Sequence, residues 1–339
     1  MGNPSKNKLR ILHLLDILKT CTDDEHILSS GELISLLAVR GFSADRKSIY
    51  DDIACLTSFG YDVILTHSPK KGYFLGQRKF ELAEVRLLSD AVQAANFISE
   101  SKSKALIEKI ETSISSYQAS QLRDQVYIDS KTKTKNEEIY YNIDKINDAV
   151  KSSKQIRFIY RKRRMADKYT TVHDEKELTV NPYAMIWSND HYYLICNNPK
   201  YDNLMHTRID RMKKVEILDI PATKYTEVSD YKNGFDAADY SKKHFNMFSG
   251  EVGQIELICS NDLIDAMIDK FGDTTAIKTV SDASFSFRTQ AAVNDGLVSW
   301  IMQYSDKVFV KSPASLKNMI EKKCRDILAS YGKGESENI

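Results

Sequence analysis

Apolar residues recur at helical spacing from early in the chain: Ile11, Leu14, Leu15 and Leu18, then Leu33, Leu36 and Leu37, then Ile49, Ile53 and Leu56. Residues three and four apart share one helix face, so each set predicts an amphipathic helix with a buried stripe. The punctuation agrees. Ser29 and Glu32 have capping-box spacing ahead of the second helix. Gly41 follows that helix, and Gly60 stops the third, which begins near Ser43 or Asp45. Beyond Gly60 the period falls to two: Tyr61–Thr66 alternates, Ser68-Pro69-Lys70-Lys71-Gly72 reads as a turn, and Tyr73-Phe74-Leu75 as a second short strand.

The same reading organises the rest. Leu82, Val85, Leu88 and Val92 mark one helix over 81–98, and Leu106, Ile110 and Ile114 another over 102–117. Residues 131–136 are polar without a period and predict a linker. Ile139, Ile143, Ile146 and Val150 give a further helix, followed by five short strands over 155–160, 178–187, 191–196, 204–208 and 214–218. The run Arg161–Arg164 falls at the end of the first strand, as a charged turn. A helix and five short strands predict a small, strongly bent sheet or barrel. After a connector over 221–249, the elements follow in βαββαβ order and end in a helix with Pro313 in its first turn, a ferredoxin-like pattern. The fold class is α+β and multidomain: a winged helix-turn-helix over 1–78, a helical connector over 79–136, a sheet domain over 137–222, a linker over 223–249, a C-terminal domain over 250–332 and a tail over 333–339.

Composition narrows the function. The chain has 339 residues, enough for two or three domains, and a 42% apolar share that supplies real cores. Its formal net charge is only +1, so any nucleic-acid site must arise from local clustering. The five cysteines are scattered without C-x-x-C, which fits buried thiols in a reducing compartment and neither zinc nor disulfides. Without an apolar leader or a run near 20 apolar residues, the chain is expected to be cytoplasmic, with no membrane partner.

In a winged helix the N-terminal end of the last helix enters the major groove. Here that end carries Arg46, Lys47, Ser48 and Tyr50 on the face opposite Ile49 and Ile53. The hairpin turn carries His67, Lys70 and Lys71, suited to phosphates. The alternative is a small helical domain with solvated lysines, or a winged fold serving protein contacts. The segment from Arg46 to Tyr61, with Lys71-Gly72-Tyr73-Phe74-Leu75, resembles the recognition helix and wing of WYL-domain transcription regulators. Asp51 departs from the pattern, since many members have a basic residue there.

Asn181-Pro182-Tyr183, Tyr192-Tyr193-Leu194 and His206-x-Arg208-x-Asp210-Arg211 resemble the motif string of WYL domains, with Tyr192 in place of tryptophan. The resemblance implies an Sm-like barrel, and a domain that senses nucleic-acid or nucleotide signals. The side chains suit that reading: arginine forks match phosphate and aromatics stack on bases. Tyr160, Arg161, Tyr183, His206, Arg208 and Arg211 are the candidate effector residues. The plainer alternative is that Arg208 and Arg211 pair with Asp210 or Glu216 and only hold the domain together. The C-terminal segment around Phe271-Gly272 and Gly296–Tyr304 resembles the extension found with many WYL domains. With it, the resemblance runs from about Leu9 to about Leu328. It implies a homodimer on double-stranded operator DNA, without a cofactor. No G-x-S-x-G, P-loop, H-E-x-x-H or G-x-G-x-x-G occurs, and the seven histidines form no i, i+4 pair, so no catalytic or metal site is expected. An accessory nucleic-acid-binding factor in phage defence or the DNA-damage response, and an enzyme with an unrecognised site, stay open as alternatives.

Overall fold

A computed structural model describes residues 6–123, 133–167, 169–229, 231, 235–272 and 276–332. The chain forms two compact units, Met1–Glu137 and Glu138–Ile339. Among the described residues there is no helix long and apolar enough to cross a membrane.

The first unit opens with α1 (Lys6–Cys21), α2 (Ser30–Val39) and α3 (Arg46–Phe59), then the antiparallel hairpin β1 (Val63–Thr66) and β2 (Gly72–Leu75). Of the predicted stripes Leu14, Leu18, Leu33, Leu37 and Ile49 are fully buried, Ile17 joins them, and Ile11 and Leu36 are partly buried at the edge. Ser29 and Glu32 form the reciprocal capping box of α2. Asp45 caps α3 by accepting from the Ser48 amide at 2.7 Å. Gly60 ends α3 at φ +108°, a conformation that penalises any side chain. Leu28 pairs with Tyr73 as an added bridge on the hairpin, and a Cβ on Gly72 would lie 2.7 Å from the Leu28 carbonyl oxygen. This close approach, rather than turn chemistry alone, requires glycine there. Asp52 is no surface acid: Arg10 of α1 grips it at 2.7 and 3.1 Å.

The connector contains α4 (Leu82–Ala94), α5 (Glu100–Glu111) and α6 (Ser116–Arg123), where the sequence pattern predicts two helices. The break has a local cause. The Ser115 hydroxyl accepts from the Gln118 amide at 3.1 Å and Gln118 Oε1 accepts from the Ser115 amide at 3.3 Å, a capping box that starts a new helix. Of the predicted 131–136 linker, 131 and 132 lie outside the described residues. Lys133 is buried and donates to the Ala95 carbonyl at 3.1 Å, so it is anchored rather than solvated. The predicted tail over 333–339 also lies outside the described residues.

In the second unit α7 (Ile139–Ser152) packs on a sheet of β3 (Lys154–Met165), β4 (Thr171–Ser188), β5 (His191–Asn197), β6 (Leu204–Arg208) and β7 (Met212–Pro221). The described strands run antiparallel in the order β6-β5-β4-β3-β7. Asn142 and Lys145 of α7 donate to the carbonyls of Met212 and Val215 at 3.0 and 2.7 Å, fixing the helix on β7. Two expectations are corrected. Arg161–Arg164 is not a turn, because β3 continues to Met165 in unbroken register with β4. The implied closed barrel is not formed: among the described residues β6 and β7 share no ladder and are joined by a 3-10 turn, Ile209–Arg211.

The segment after β7 folds back through α8 (Tyr225–Val228), α9 (Ala237–Lys243) and a 3-10 turn, Phe245–Met247, burying Tyr240 and Met247 on Ile186 and Ile195. Then come β8 (Val252–Ser260), α10 (Ile264–Phe271), β9 (Ala276–Ser281), β10 (Ser284–Ala292), α11 (Asp295–Met302), β11 (Val308–Ser312) and α12 (Ala314–Gly332). The described strands form an antiparallel sheet in the order β11-β8-β10-β9. Trp300 and Tyr304, 5.1 Å apart, pack with Phe245 and Phe271 around this core. The thiols differ from expectation. Cys196 and Cys259 are buried, whereas Cys55 on α3 and Cys324 on α12 are exposed, because both lie off the apolar stripe of their helix.

Candidate functional site

The β3–β4 ladder fixes which side chains share a face. Its continuous register sets Tyr160 opposite Lys176 and Lys162 opposite Asp174, and side chains alternate between faces. Tyr160, Lys162, Asp174, Lys176 and Leu178 therefore lie together and line a groove of about 930 Å³. Tyr193 of β5, with Met205, His206, Thr207 and Arg208 of β6, continues the wall, Arg211 of the 3-10 turn closes one side, and Met247 and Phe248 come from beyond α9. Arg161 falls on the opposite face, paired with Glu175 at 3.0 Å, and is not part of the groove.

The loop after β5 is held by a buried amide chain. Gln155 donates to Asn181 Oδ1 at 3.0 Å, Asn181 Nδ2 donates to Asn197 Oδ1 at 2.9 Å, and Asn197 Nδ2 donates to the carbonyls of Tyr201 and Asn203 at 2.6 and 3.0 Å. Asn181 thus acts from the far side of the sheet to set Asn198, Tyr201 and Asn203 at the groove. Tyr183 is not brought into it. Its ring packs edge-on to Tyr225 at 6.3 Å and its hydroxyl is buried without a hydrogen-bond partner, which raises its pKa by desolvation.

The two motif arginines differ. Arg208 is locked: Nε and Nη2 donate to the Asp210 carboxylate at 3.0 and 2.7 Å, and Nη1 meets His191 Nε2 at 2.7 Å. Since a guanidinium only donates, His191 Nε2 must accept, so this imidazole is neutral with its proton on Nδ1. Burial first, and Arg208 second, lower the His191 pKa, in agreement. Burial opposes the Arg208 charge, but Asp210 outweighs it and holds the guanidinium above its ordinary value. Arg211, Lys162 and Lys176 line the same groove, and among the described residues none of them makes an ion pair or hydrogen bond. Asp174, the acid in the groove wall, is engaged by Arg164 at 2.5 Å.

His206 forms the floor. Its Nε2 lies 2.8 Å from the Tyr240 hydroxyl, and it also bonds a backbone group of Met247. One imidazole therefore contacts both α9 and the 3-10 turn that follows it. Burial, with the nearby His244, pushes its pKa down to about 4, so it is neutral near pH 7. Tyr240 stacks on His244 at 3.9 Å.

In the first unit Arg46, Lys47 and Tyr50 are exposed and Ser48 half-buried at the N-terminal end of α3. The Ser48 amide is taken by the Asp45 cap. Lys71 is exposed, but Lys70 donates to both carboxylate oxygens of Glu32 at 2.7 and 2.8 Å. Lys70 holds the Glu32 pKa down to about 2, and the pair ties the hairpin turn to the α2 cap. Among the described residues no group of three or more His, Cys, Asp or Glu could hold a metal ion.

Residues 141–217, which contain this groove's strands, match the WYL domain family. The chain carries a match to the WYL domain there. The matched span is narrower than the motif resemblance from Leu9 to Leu328 and covers the α7–β7 region. No curated protein matches the chain. Among solved structures, the chain is similar to proteasome accessory factor B/C (PafBC) of Arthrobacter aurescens, at 13% identity and a TM-score of 0.29, over 96% of this chain and 49% of that one. It therefore spans about half the length of that protein.

Lys162, Lys176, Tyr201 and His191 belong to the groove or its frame although the sequence did not single them out for the site, whereas Asp210 is the partner of Arg208 that the plainer alternative named. Lys162 and Lys176 had a legible signal, the period-two repeat that aligns them with Tyr160 and Leu178. Tyr201 had none, since no period places a loop residue that is held by the Asn197 amide and the Asn198 carbonyl.

Proposed function

We propose that the chain is a sequence-specific DNA-binding transcription regulator whose WYL domain holds a nucleic-acid or nucleotide effector. The observation that carries the effector half is the groove, where Lys162, Lys176 and Arg211 stand uncompensated beside Tyr160, Tyr193 and Tyr201. Cations next to rings, of which Tyr201 is exposed, suit phosphate and base together. The DNA half rests on α3, whose capped end presents Arg46, Lys47 and Tyr50 to solvent next to Lys71 of the hairpin. Lys70 has a lesser share, because it already neutralises Glu32. A homodimer would offer two such helices to a palindromic operator. The effector must prefer one of two arrangements of the dimer to change DNA affinity.

The test is binding to duplex DNA from the region upstream of the protein's own gene, at two salt concentrations, with and without short single-stranded DNA. Selective, salt-sensitive binding that single strands alter supports both halves. Lys47→Ala should weaken it and lower the salt slope by about 0.9, the change expected for one lost phosphate contact. Absence of selective duplex binding at that region and at genome-wide sites overturns the regulator reading.

A further inference from the structure

The uncompensated cations of the groove stand in two places. Arg211 belongs to the 3-10 turn after β6, whereas Lys162 and Lys176 belong to the long β3–β4 hairpin. On the hairpin Lys162 faces Asp174, so Lys176 is its diagonal neighbour on the same face. Such neighbours stand roughly 7–8 Å apart, within reach of two flexible ammonium groups converging on one anion. The arrangement is poor for stability alone. The interposed carboxylate of Asp174 is held by Arg164, and the Arg208 charge is cancelled by Asp210. Two like charges therefore stand diagonally on one face, and the acid between them, Asp174, is shared with Arg164, so an anion in the groove would meet two cations with little competing charge. The opposite face of the same hairpin shows the contrast, since Arg161 there has Glu175 and Arg157 has Glu216.

We propose that Lys162 and Lys176 form a second phosphate site in the groove, separate from Arg211, so that the effector carries two or more phosphate groups. This rests on the effector reading above and narrows it: a nucleoside monophosphate satisfies one site, and a nucleoside polyphosphate or an oligonucleotide satisfies both. Tyr201 and Phe248, exposed in the same groove, offer rings on which a base can stack.

The full chain is titrated with three probes: a deoxynucleoside monophosphate, a nucleoside triphosphate and a single-stranded DNA hexamer. Wild-type protein should bind at least one multi-phosphate probe about tenfold or more tighter than the monophosphate. Lys162→Ala and Lys176→Ala should each weaken that probe several-fold and leave the monophosphate within about twofold. For the hexamer each should also lower the salt slope by about 0.7. Arg211→Ala should weaken all probes that bind. Preference for the triphosphate or for the hexamer separates the two sources, and either supports the second site. Thermal melting of each variant guards against misfolding. Relief of repulsion predicts a melting temperature for the two lysine variants no lower than wild type. If Lys162→Ala and Lys176→Ala bind the multi-phosphate probe as wild type does while Arg211→Ala loses it, the hairpin site is overturned and the effector reading survives. If wild type binds none of the probes, both fall.

Discussion

Arg208 and Arg211 lie three positions apart in one motif, and their sequence context treats them alike. Their surroundings do not. Arg208 spends its fork on Asp210 and His191, whereas Arg211 faces the groove with its donors free among the described residues. Removing Arg208 leaves the Asp210 carboxylate, 8% exposed, without its counter-charge. Arg208→Ala should therefore lower stability by about 1–3 kcal/mol, and weaken effector binding through that loss of frame. Arg211→Ala should leave the melting temperature near wild type and reduce effector affinity directly. Denaturation and titration of the two variants check this, and equal melting losses would remove the distinction. The same contrast separates Lys70, bound to Glu32, from Lys71 and Lys47.

At the scale of elements, His206 adds a polar fastening of the α9 segment to the sheet, through the Tyr240 hydroxyl and the Met247 backbone, beside its apolar packing on Ile186 and Ile195. That fastening has a pH signature. The ordinary histidine value is 6.5 and the folded value about 4. As pH falls between these limits, the unfolded chain takes up a proton that the folded chain refuses, so stability falls. The loss approaches about 3 kcal/mol toward pH 4. His244 and His191, also lowered, act with the same sign. Urea unfolding at pH 7 and pH 4.5 should show a steeper acid loss in wild type than in His206→Gln, and parallel losses would show that His206 is not the pin. The connector makes a related point about local signals. The apolar stripe of residues 102–117 reads as one helix, yet Ser115 and Gln118 cap a separate α6, and the Ser115 hydroxyl also donates to Asp23.

For the whole molecule, each unit contains its own core. Leu14, Leu33, Leu37 and Ile49 are sealed within residues 1–137, and Ile156, Phe158, Leu257 and Phe287 within 138–339. A chain built this way need not unfold in one step. Residues 138–339 expressed alone should fold, reproduce the acid sensitivity governed by His206, and bind the phosphate probes with wild-type affinity. Circular dichroism and titration of that fragment are the check, and a fragment without a cooperative transition would contradict the independence of the two cores.

The sequence by itself determined the elements and much of their order. Periodicity, the Ser29–Glu32 box, Asp45 and Gly60 are written within single segments, and the free energies of capping and backbone conformation they carry are local. The motif string around Tyr192 and His206 likewise located the WYL domain, and it named Tyr160, His206, Arg208 and Arg211, all of which line the groove. Only the tertiary structure decided what each does. Arg161 left the site because strand parity put it on the far face, and Tyr183 because it packs on Tyr225. Lys162 and Lys176 entered it because β3 and β4 run past their predicted ends in register. Whether a cation is free depends on which acid reaches it through space. That is a long-range fact, set by ladders and amide chains joining residues far apart in the chain, and no spacing within one segment records it.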